Sequence, residues 1–421
     1  MAIIVLSNVL IMIAFVGILQ NAVVCARPPP VVPQVGAVAS GNYRNMFVEA
    51  GYSKENVTLR LKDIVHQLFF GNPANESLFF AATDGSDSSY IFDVGDNDVR
   101  TEGMGYGLMA TLQLNMPLQF DRLFRWYKHF MQHTNPTDTR YGYSSWHCQT
   151  SGASMDNNPA SDGETFIVSS LFFAAARWGD HGAINYTAEA QLIIHAMISK
   201  ENPPCGIHGC DSVVNMFGGA VADNVPAMVV FVPYASAASY TDPSYHTPFF
   251  YEQWALRCNT SYWKNVSATS RAFFHLASHP QTALTPDYAT FAGAPTGGHE
   301  SFSFDAWRTA RNVAVDYAWY AADPAQIALS NKILTFFRGL PSWPKYGNQF
   351  TLDGRQTDGD HSPGLVAMNA VAALGSNLAL AWDFVDQLWA TATPSGQWRY
   401  YDGLLYLEAW LHLSGNYRAY G

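Results

Sequence analysis

Three short stretches of the chain place a carboxylate among glycines and aromatic residues rather than on a charged helical face. The first runs Asp98-Val99-Arg100-Thr101-Glu102-Gly103-Met104-Gly105-Tyr106-Gly107, the second Ala160-Ser161-Asp162-Gly163-Glu164, the third Ser303-Phe304-Asp305-Ala306-Trp307-Arg308. Two carboxyl groups in an aromatic cleft are what hydrolysis of a glycosidic bond requires. One is held protonated to give a proton to the leaving oxygen; the other is ionised to take a proton from water or to attack carbon. Each stretch also has an ordinary reading. Glu102 suits any helix N-terminus, where the macrodipole favours negative charge. Asp162 suits an N-cap. Asp305 suits an ion pair with Arg308, three residues on. Residue types and spacing leave both readings open.

Other chemistries find less support. There is no G-x-S-x-G elbow and no H-E-x-x-H; His275 and His279 have the i, i+4 spacing but lack the Glu. Gly103, Gly105 and Gly107 do not fit the dinucleotide fingerprint, and no phosphate loop is present. Cys205, His208 and Cys210 in CGIHGC make an incomplete zinc set with no second pair at finger spacing. No metal is therefore expected. A net charge of −11 without a basic run argues against a nucleic-acid partner.

The elements that must position the three acids are mostly helical. A chain that is 48% hydrophobic and 14% charged is not disordered. Helical periodicity recurs at 56–69, 103–114, 119–132, 164–177, 251–256, 268–278, 303–321, 324–340, 364–374, 380–390 and 404–413, more weakly at 188–199. Strand-like runs are confined to 228–231 and 348–352. The absence of a fixed repeat period disfavours a short-repeat solenoid. Alternating helices with uneven loops fit an all-α toroid whose loops at one end build a site.

The termini point to export. Residues 1–26 carry no charged side chain, are almost wholly apolar from Ile3 to Ile18, and end in Val24-Cys25-Ala26, the pattern of a cleaved signal peptide. Residues 27–41 read as a flexible Pro-rich leader, and 42–421 as one domain. No later stretch reaches the roughly 18 apolar residues of a membrane span. Asn56, Asn75, Asn185, Asn259 and Asn265 head Asn-x-Ser/Thr sequons and are glycosylation candidates. With Cys25 removed, Cys148, Cys205, Cys210 and Cys258 suffice for two bridges, Cys205–Cys210 being the first choice. A secreted, extracellular monomer without a membrane partner is expected.

At its three acidic stretches the sequence resembles glycoside hydrolase family 8. TEGMGYGLM around Glu102 is similar to the family's general-acid segment, and FDAWR, 304–308, to the segment that carries the general base. ASDGETFIVSSLFFAAARW, 160–178, is similar to the signature stretch, departing at Glu164, where Asp is usual, and at Val168, where Ala is usual. The resemblance implies an (α/α)6 barrel and single-displacement hydrolysis with inversion and no cofactor. It implies Glu102 as general acid, Asp305 as general base, and Asp162 holding the sugar on the non-reducing side of the scissile bond. It implies Trp146, in YGYSSWHC, as a sugar platform, and Tyr234, Arg308 and Tyr401 as cleft positions. Stretches 231–255, 283–291, 361–370 and 399–407 resemble the family's reducing-end xylose-releasing exo-oligoxylanases more than its endo-acting members. That implies xylo-oligosaccharide substrates, with His361 on a loop that helps hold the reducing-end sugar. An endo-acting glycanase of the same family, a xylanase before a cellulase or chitosanase, is the alternative. A non-catalytic sugar-binding scaffold is disfavoured, since it would need neither acid nor base.

Overall fold

The computed structural model describes residues 27–200, 213–218 and 227–421. The expected signal peptide and the Cys205–Cys210 loop lie outside the described residues.

The segment expected to be a flexible leader is docked on the body of the protein. The Pro28 carbonyl accepts from Trp382 Nε1 at 2.7 Å, the Pro33 carbonyl from Tyr317 OH at 3.0 Å, and Arg27 pairs with Asp386 at 2.8 Å. Val32 and Ala37 are buried. Proline-rich backbone makes no internal hydrogen bonds, so its carbonyls were available to side chains on the barrel surface. Two single-turn helices follow, α1 (Ala37–Ser40) and α2 (Met46–Glu49).

Among the described residues, twelve longer helices alternate between two kinds. One set is amphipathic: α3 (Lys54–Phe70), α5 (Pro117–Trp126), α7 (Tyr186–Ala196), α9 (Tyr262–Ala277), α11 (Ala325–Arg338) and α13 (Ala381–Ala390). In α3, for instance, Val57, Leu61, Ile64 and Leu68 form one buried stripe, and Ser53 caps the start by accepting from Asn56 N. The other set is α4 (Thr101–Gln113), α6 (Ser161–Trp178), α8 (Pro248–Arg257), α10 (Trp307–Tyr320), α12 (Pro363–Ala372) and α14 (Arg399–Leu413). These are buried nearly all round, as a helix without a polar face must be. In α10 only Tyr320 escapes full burial, and in α4 only Glu102.

The buried helices form a closed ring: α4 packs on α6, α6 on α8, α8 on α10, α10 on α12, α12 on α14, and α14 back on α4. Each amphipathic helix backs the ring helix that precedes it, and α3 backs α14. This is the (α/α)6 barrel. The α4–α6 contact is close because of two glycines. A Cβ on Gly163 would lie 2.7 Å from the Thr101 carbonyl carbon, and one on Gly105 2.8 Å from Phe166 Cβ. Their absence lets the first turns of α4 and α6 touch, which brings Glu102 beside Asp162.

Short strands lie in the loops. β1 (Phe79–Ala81) pairs antiparallel with β2 (Ser89–Ile91), with Phe80 opposite Tyr90. β3 (Val99–Arg100), β4 (His147–Cys148) and β5 (Ser154–Asp156) form a second sheet in that order, and β6 (Phe217–Gly218) pairs with β7 (Met228–Val229). The strand-like run 348–352 is not a strand: Phe350 makes isolated bridges to Phe302 and Gln356. Two helical expectations also change at their ends. The helix expected at 119–132 gives way after Trp126 to a π-turn, Tyr127–Met131, and the one expected at 303–321 opens with a 3-10 turn, Phe304–Ala306.

Cys148 and Cys258 are free thiols. Cys148 is buried on β4 and Cys258 closes α8, so each is fixed by the element that carries it rather than by a bridge. The five sequon asparagines, Asn56, Asn75, Asn185, Asn259 and Asn265, are all exposed. No described helix is long and apolar enough to cross a membrane.

Candidate active site

The N-terminal turns of α4 and α6 meet that of α10 at one guanidinium. Arg308, in the first turn of α10, is 1% exposed. Its Nη1 donates to Glu102 Oε2 at 2.6 Å, to Asp162 Oδ2 at 3.2 Å and to Tyr106 OH at 3.2 Å. Its Nη2 pairs with Asp305 Oδ1 at 3.0 Å and lies 3.9 Å from Asp242 Oδ2. The i, i+3 pair expected between Asp305 and Arg308 is therefore formed, but it is one arm of a cluster. Both arms end on one rigid fork, so the bonded oxygens of Glu102 and Asp305 lie within about 8 Å of each other, compatible with the roughly 6.5–9.5 Å of an inverting pair.

Local structure sets each acid. β3 runs directly into α4, and Thr101 N donates to the Trp146 carbonyl at 3.0 Å, which places the Trp146 ring beside Glu102. Arg100 pairs with Asp98 at 3.0 Å and with Asp93 at 3.4 Å, and its guanidinium sits 5.9 Å from the Trp146 ring centroid. Asp162 is not the N-cap, a position held by Ala160; it sits in the first turn of α6, where its Oδ1 accepts from Gly163 N at 2.7 Å. Tyr400 OH donates to Glu102 Oε1 at 3.4 Å from α14, across a face left open by Gly103. Glu164, where the family usually has Asp, points away from this cluster: it is buried and accepts from Ser144 N at 2.7 Å.

Two cavities meet at the acids. One, of about 500 Å³, is lined by Trp146, Asp162, Tyr234, Tyr245 and Tyr288; the other, of about 330 Å³, by Phe304, Trp398, Tyr400 and Tyr401. Glu102, Asp305 and Arg100 line both. Burial drives the Glu102 carboxyl up to about 7, against the pull of Arg308 and with the push of Asp162 and Asp305. Burial likewise raises Asp162, although Arg308 opposes it. A carboxyl held protonated near neutrality can give up a proton, and Asp305, 32% exposed beside it, can accept one from water.

Of the residues expected at the site, Glu102, Asp162, Trp146, Tyr234, Arg308, Tyr401 and Asp305 are brought together. Tyr401 acts through its hydroxyl, which donates to the Phe304 carbonyl at 2.8 Å. His361 is not placed there. It is exposed on the loop before α12, its Nδ1 lies 2.8 Å from the Tyr346 carbonyl, and it lines neither cavity. Sequence reasoning missed Asp242, Tyr245, Asp287 and Tyr288, although all four lie in stretches that carried the resemblance. The available signal was Asp242-Pro243, which marks a capped turn: Asp242 Oδ1 accepts from Ser244 N at 2.6 Å and starts the 3-10 turn Pro243–Tyr245. Among the described residues no cluster of His, Cys, Asp and Glu is arranged to hold a metal.

The family model for Glycosyl hydrolases family 8 matches residues 77–412. The chain belongs to glycosyl hydrolase family 8. The reducing-end xylose-releasing exo-oligoxylanase of Paenibacillus barcinonensis is 36% identical over 397 residues, 91% of this chain and 98% of its own. A family 8 xylobiose complex from Teredinibacter turnerae is 38% identical with a TM-score of 0.85, covering 91% of this chain and 100% of that one. A catalytic mutant of a family 8 xylanase from the same organism, in complex with xylohexaose, is 37% identical with the same TM-score and coverage. As a family 8 glycosidase the chain has its acids where two cavities join, the place a glycosidic bond between bound sugars must occupy.

Proposed function

We propose that the chain hydrolyses β-1,4-xylo-oligosaccharides by single displacement with inversion and releases xylose from the reducing end. The observation that carries the reading is the position of Glu102 and Asp305 at the junction of two cavities, bridged by Arg308. In the proposed step the Glu102 proton passes to the glycosidic oxygen as the bond from that oxygen to the anomeric carbon breaks. A water bonds the carbon from the opposite face and gives its proton to Asp305. Asp162, beside Glu102 in the larger cavity, holds the sugar that is attacked. Trp146 and Tyr234 line the same side, and Tyr401 lines the side of the departing sugar.

The xylose specificity rests on the relatives that carry it in their names. The reducing-end preference rests on the same relatives; His361, held by Tyr346 on the loop before α12 and lining neither cavity, is not part of its support. Proton NMR of a xylotriose digest is expected to show xylobiose and first-formed α-xylose, with the xylotriose alditol and long xylan cut poorly. First-formed β-xylose would overturn the mechanism. Equal cleavage of xylotriose, its alditol and long xylan would favour an endo-acting xylanase, the reading suggested by the similarity to the xylanase with bound xylohexaose.

We also propose that the protein is secreted and acts as a monomer; secretion is supported by the uncharged, largely apolar residues 1–26 and by the exposure of all five sequons. A pH dependence follows from the acid role. Glu102 is more than half protonated only below about 7, so kcat/KM is expected to fall as pH rises through that value. A profile still level at pH 9 would exclude Glu102 as the proton donor.

A further inference from the structure

Asp305 does not ride on the body of a helix. It sits in the 3-10 turn Phe304–Ala306, whose position depends on what grips it from outside. From α14, the Tyr401 hydroxyl holds the Phe304 carbonyl. From the other side, one buried carboxylate grips the turn at both ends. Asp287 Oδ2 accepts from Ser303 Oγ, immediately before the turn, and Oδ1 accepts from Ala306 N at its last residue, at 3.1 Å. Asp287 is 8% exposed and lines neither cavity. Its own backbone is anchored on two sides: Asp287 N donates to the Ser301 carbonyl at 3.0 Å, Tyr288 N to the His299 carbonyl at 3.1 Å, and Ala289 N to the Thr241 carbonyl at 2.8 Å. Residues 287–289 thus tie the segment entering the Asp242–Tyr245 turn to the segment bearing Asp305. Tyr288 lines the larger cavity while Asp287 braces the turn behind it.

We infer that Asp287 is a positioning residue for the Asp305 carboxylate, which sets the distance and angle at which water is presented to the anomeric carbon. The inference rests on Asp305 as the base. A carboxylate is suited to this brace because it is acceptor-only and has an oxygen for each end of the turn. Without it nothing else among the described contacts fixes Ser303 Oγ and Ala306 N together, and a base displaced by about 1 Å is expected to lose roughly 10²-fold in rate.

The test compares Asp287→Ala, Asp287→Asn, Ser303→Ala and Asp305→Ala on xylotriose and on β-xylobiosyl fluoride. With the fluoride, the carbon–fluorine bond breaks without a proton donor, water bonds the carbon, and its proton goes to Asp305, so the base alone is probed. Asp287→Ala is expected to lower kcat about 10²-fold on both substrates with KM within about twofold. Asp287→Asn, whose amide oxygen still accepts from Ala306 N, is expected to recover to within about tenfold of wild type. Ser303→Ala, losing one hydrogen bond, is expected to lower kcat about 3–10-fold. If Asp287→Ala does not fold, the Asn and Ser303 variants decide, and wild-type kcat in both overturns the proposal. Wild-type kcat in a folded Asp287→Ala also overturns it, as does a loss carried mainly by KM. An active Asp305→Ala would instead mark a failure of the base assignment itself.

Discussion

Glu102→Ala and Asp305→Ala are each expected to lower turnover of xylotriose by about 10²–10⁴-fold, the contribution of a positioned acid or base, while the proteins stay folded. Stability should survive because four carboxylates, Glu102, Asp162, Asp305 and Asp242, surround the single Arg308 guanidinium, and removing one relieves like-charge repulsion. The two variants are expected to separate on a substrate that needs no proton donor. On β-xylobiosyl fluoride Glu102→Ala should approach wild-type kcat, whereas Asp305→Ala should remain crippled, because water still has to lose a proton. Steady-state kinetics on both substrates, with thermal unfolding as the check on folding, reads all four combinations. A variant that keeps more than about a tenth of wild-type turnover on xylotriose does not carry the role assigned to it. Equal behaviour of the two variants on the fluoride would mean that acid and base have been assigned without ground for telling them apart.

The helices were legible because their signals are local. The stripe Val57, Leu61, Ile64, Leu68 marks α3, and the uncharged, glycine-spaced run from Gly103 to Gln113 marks a helix with no solvent face. The three acids were legible because each stands at such a helix start among glycines or aromatic residues rather than on a charged helical face. What the sequence does not reveal is contact between stretches far apart in the chain. Gly105 and Gly163 serve the α4–α6 contact, and only the packed pair makes this plain. Arg308 pairs with Asp305 by i, i+3 geometry, which local spacing predicts. Its bonds to Glu102 and Asp162 span 206 and 146 residues, which local spacing cannot predict. Asp242 and Asp287 look like turn residues beside a proline, and that is what they are. Their proximity to Asp305 comes from the loop bridges at Thr241 and Ser301. The leader was misread for the converse reason: its composition suits a linker, but Trp382, Tyr317 and Asp386 present partners for it.

Arg308→Met is expected to have the other large effect, on stability as well as rate, and the dependence on pH distinguishes it from simple loss of packing. Among the described residues Arg308 is the one cation that touches all four carboxylates, and it opposes the burial that raises Glu102 and Asp162. Removing one partner of a buried ionic cluster typically costs about 3–5 kcal/mol, because the charges left behind are uncompensated. Here those charges can escape by binding protons. In the folded wild type Glu102 already holds its proton up to about 7, above the unfolded value of 4.5, so between those values the folded state binds more protons and stability falls as pH rises. Without Arg308 the Glu102 and Asp162 carboxyls lose the pull that opposes their burial, so the window in which stability falls extends above 7. Low pH lets them bind protons and lessens the penalty; high pH drives them to ionise unpaired. The stability gap between wild type and Arg308→Met, measured by denaturant unfolding, is therefore expected to widen from pH 5 to pH 8. Turnover should be at least about 10²-fold lower throughout, since Glu102 and Asp305 lose the fork that sets their separation. A gap that stays constant or narrows over this range would mean that Arg308 contributes shape rather than charge to the cluster, and the shared-guanidinium account of the site would fail with it.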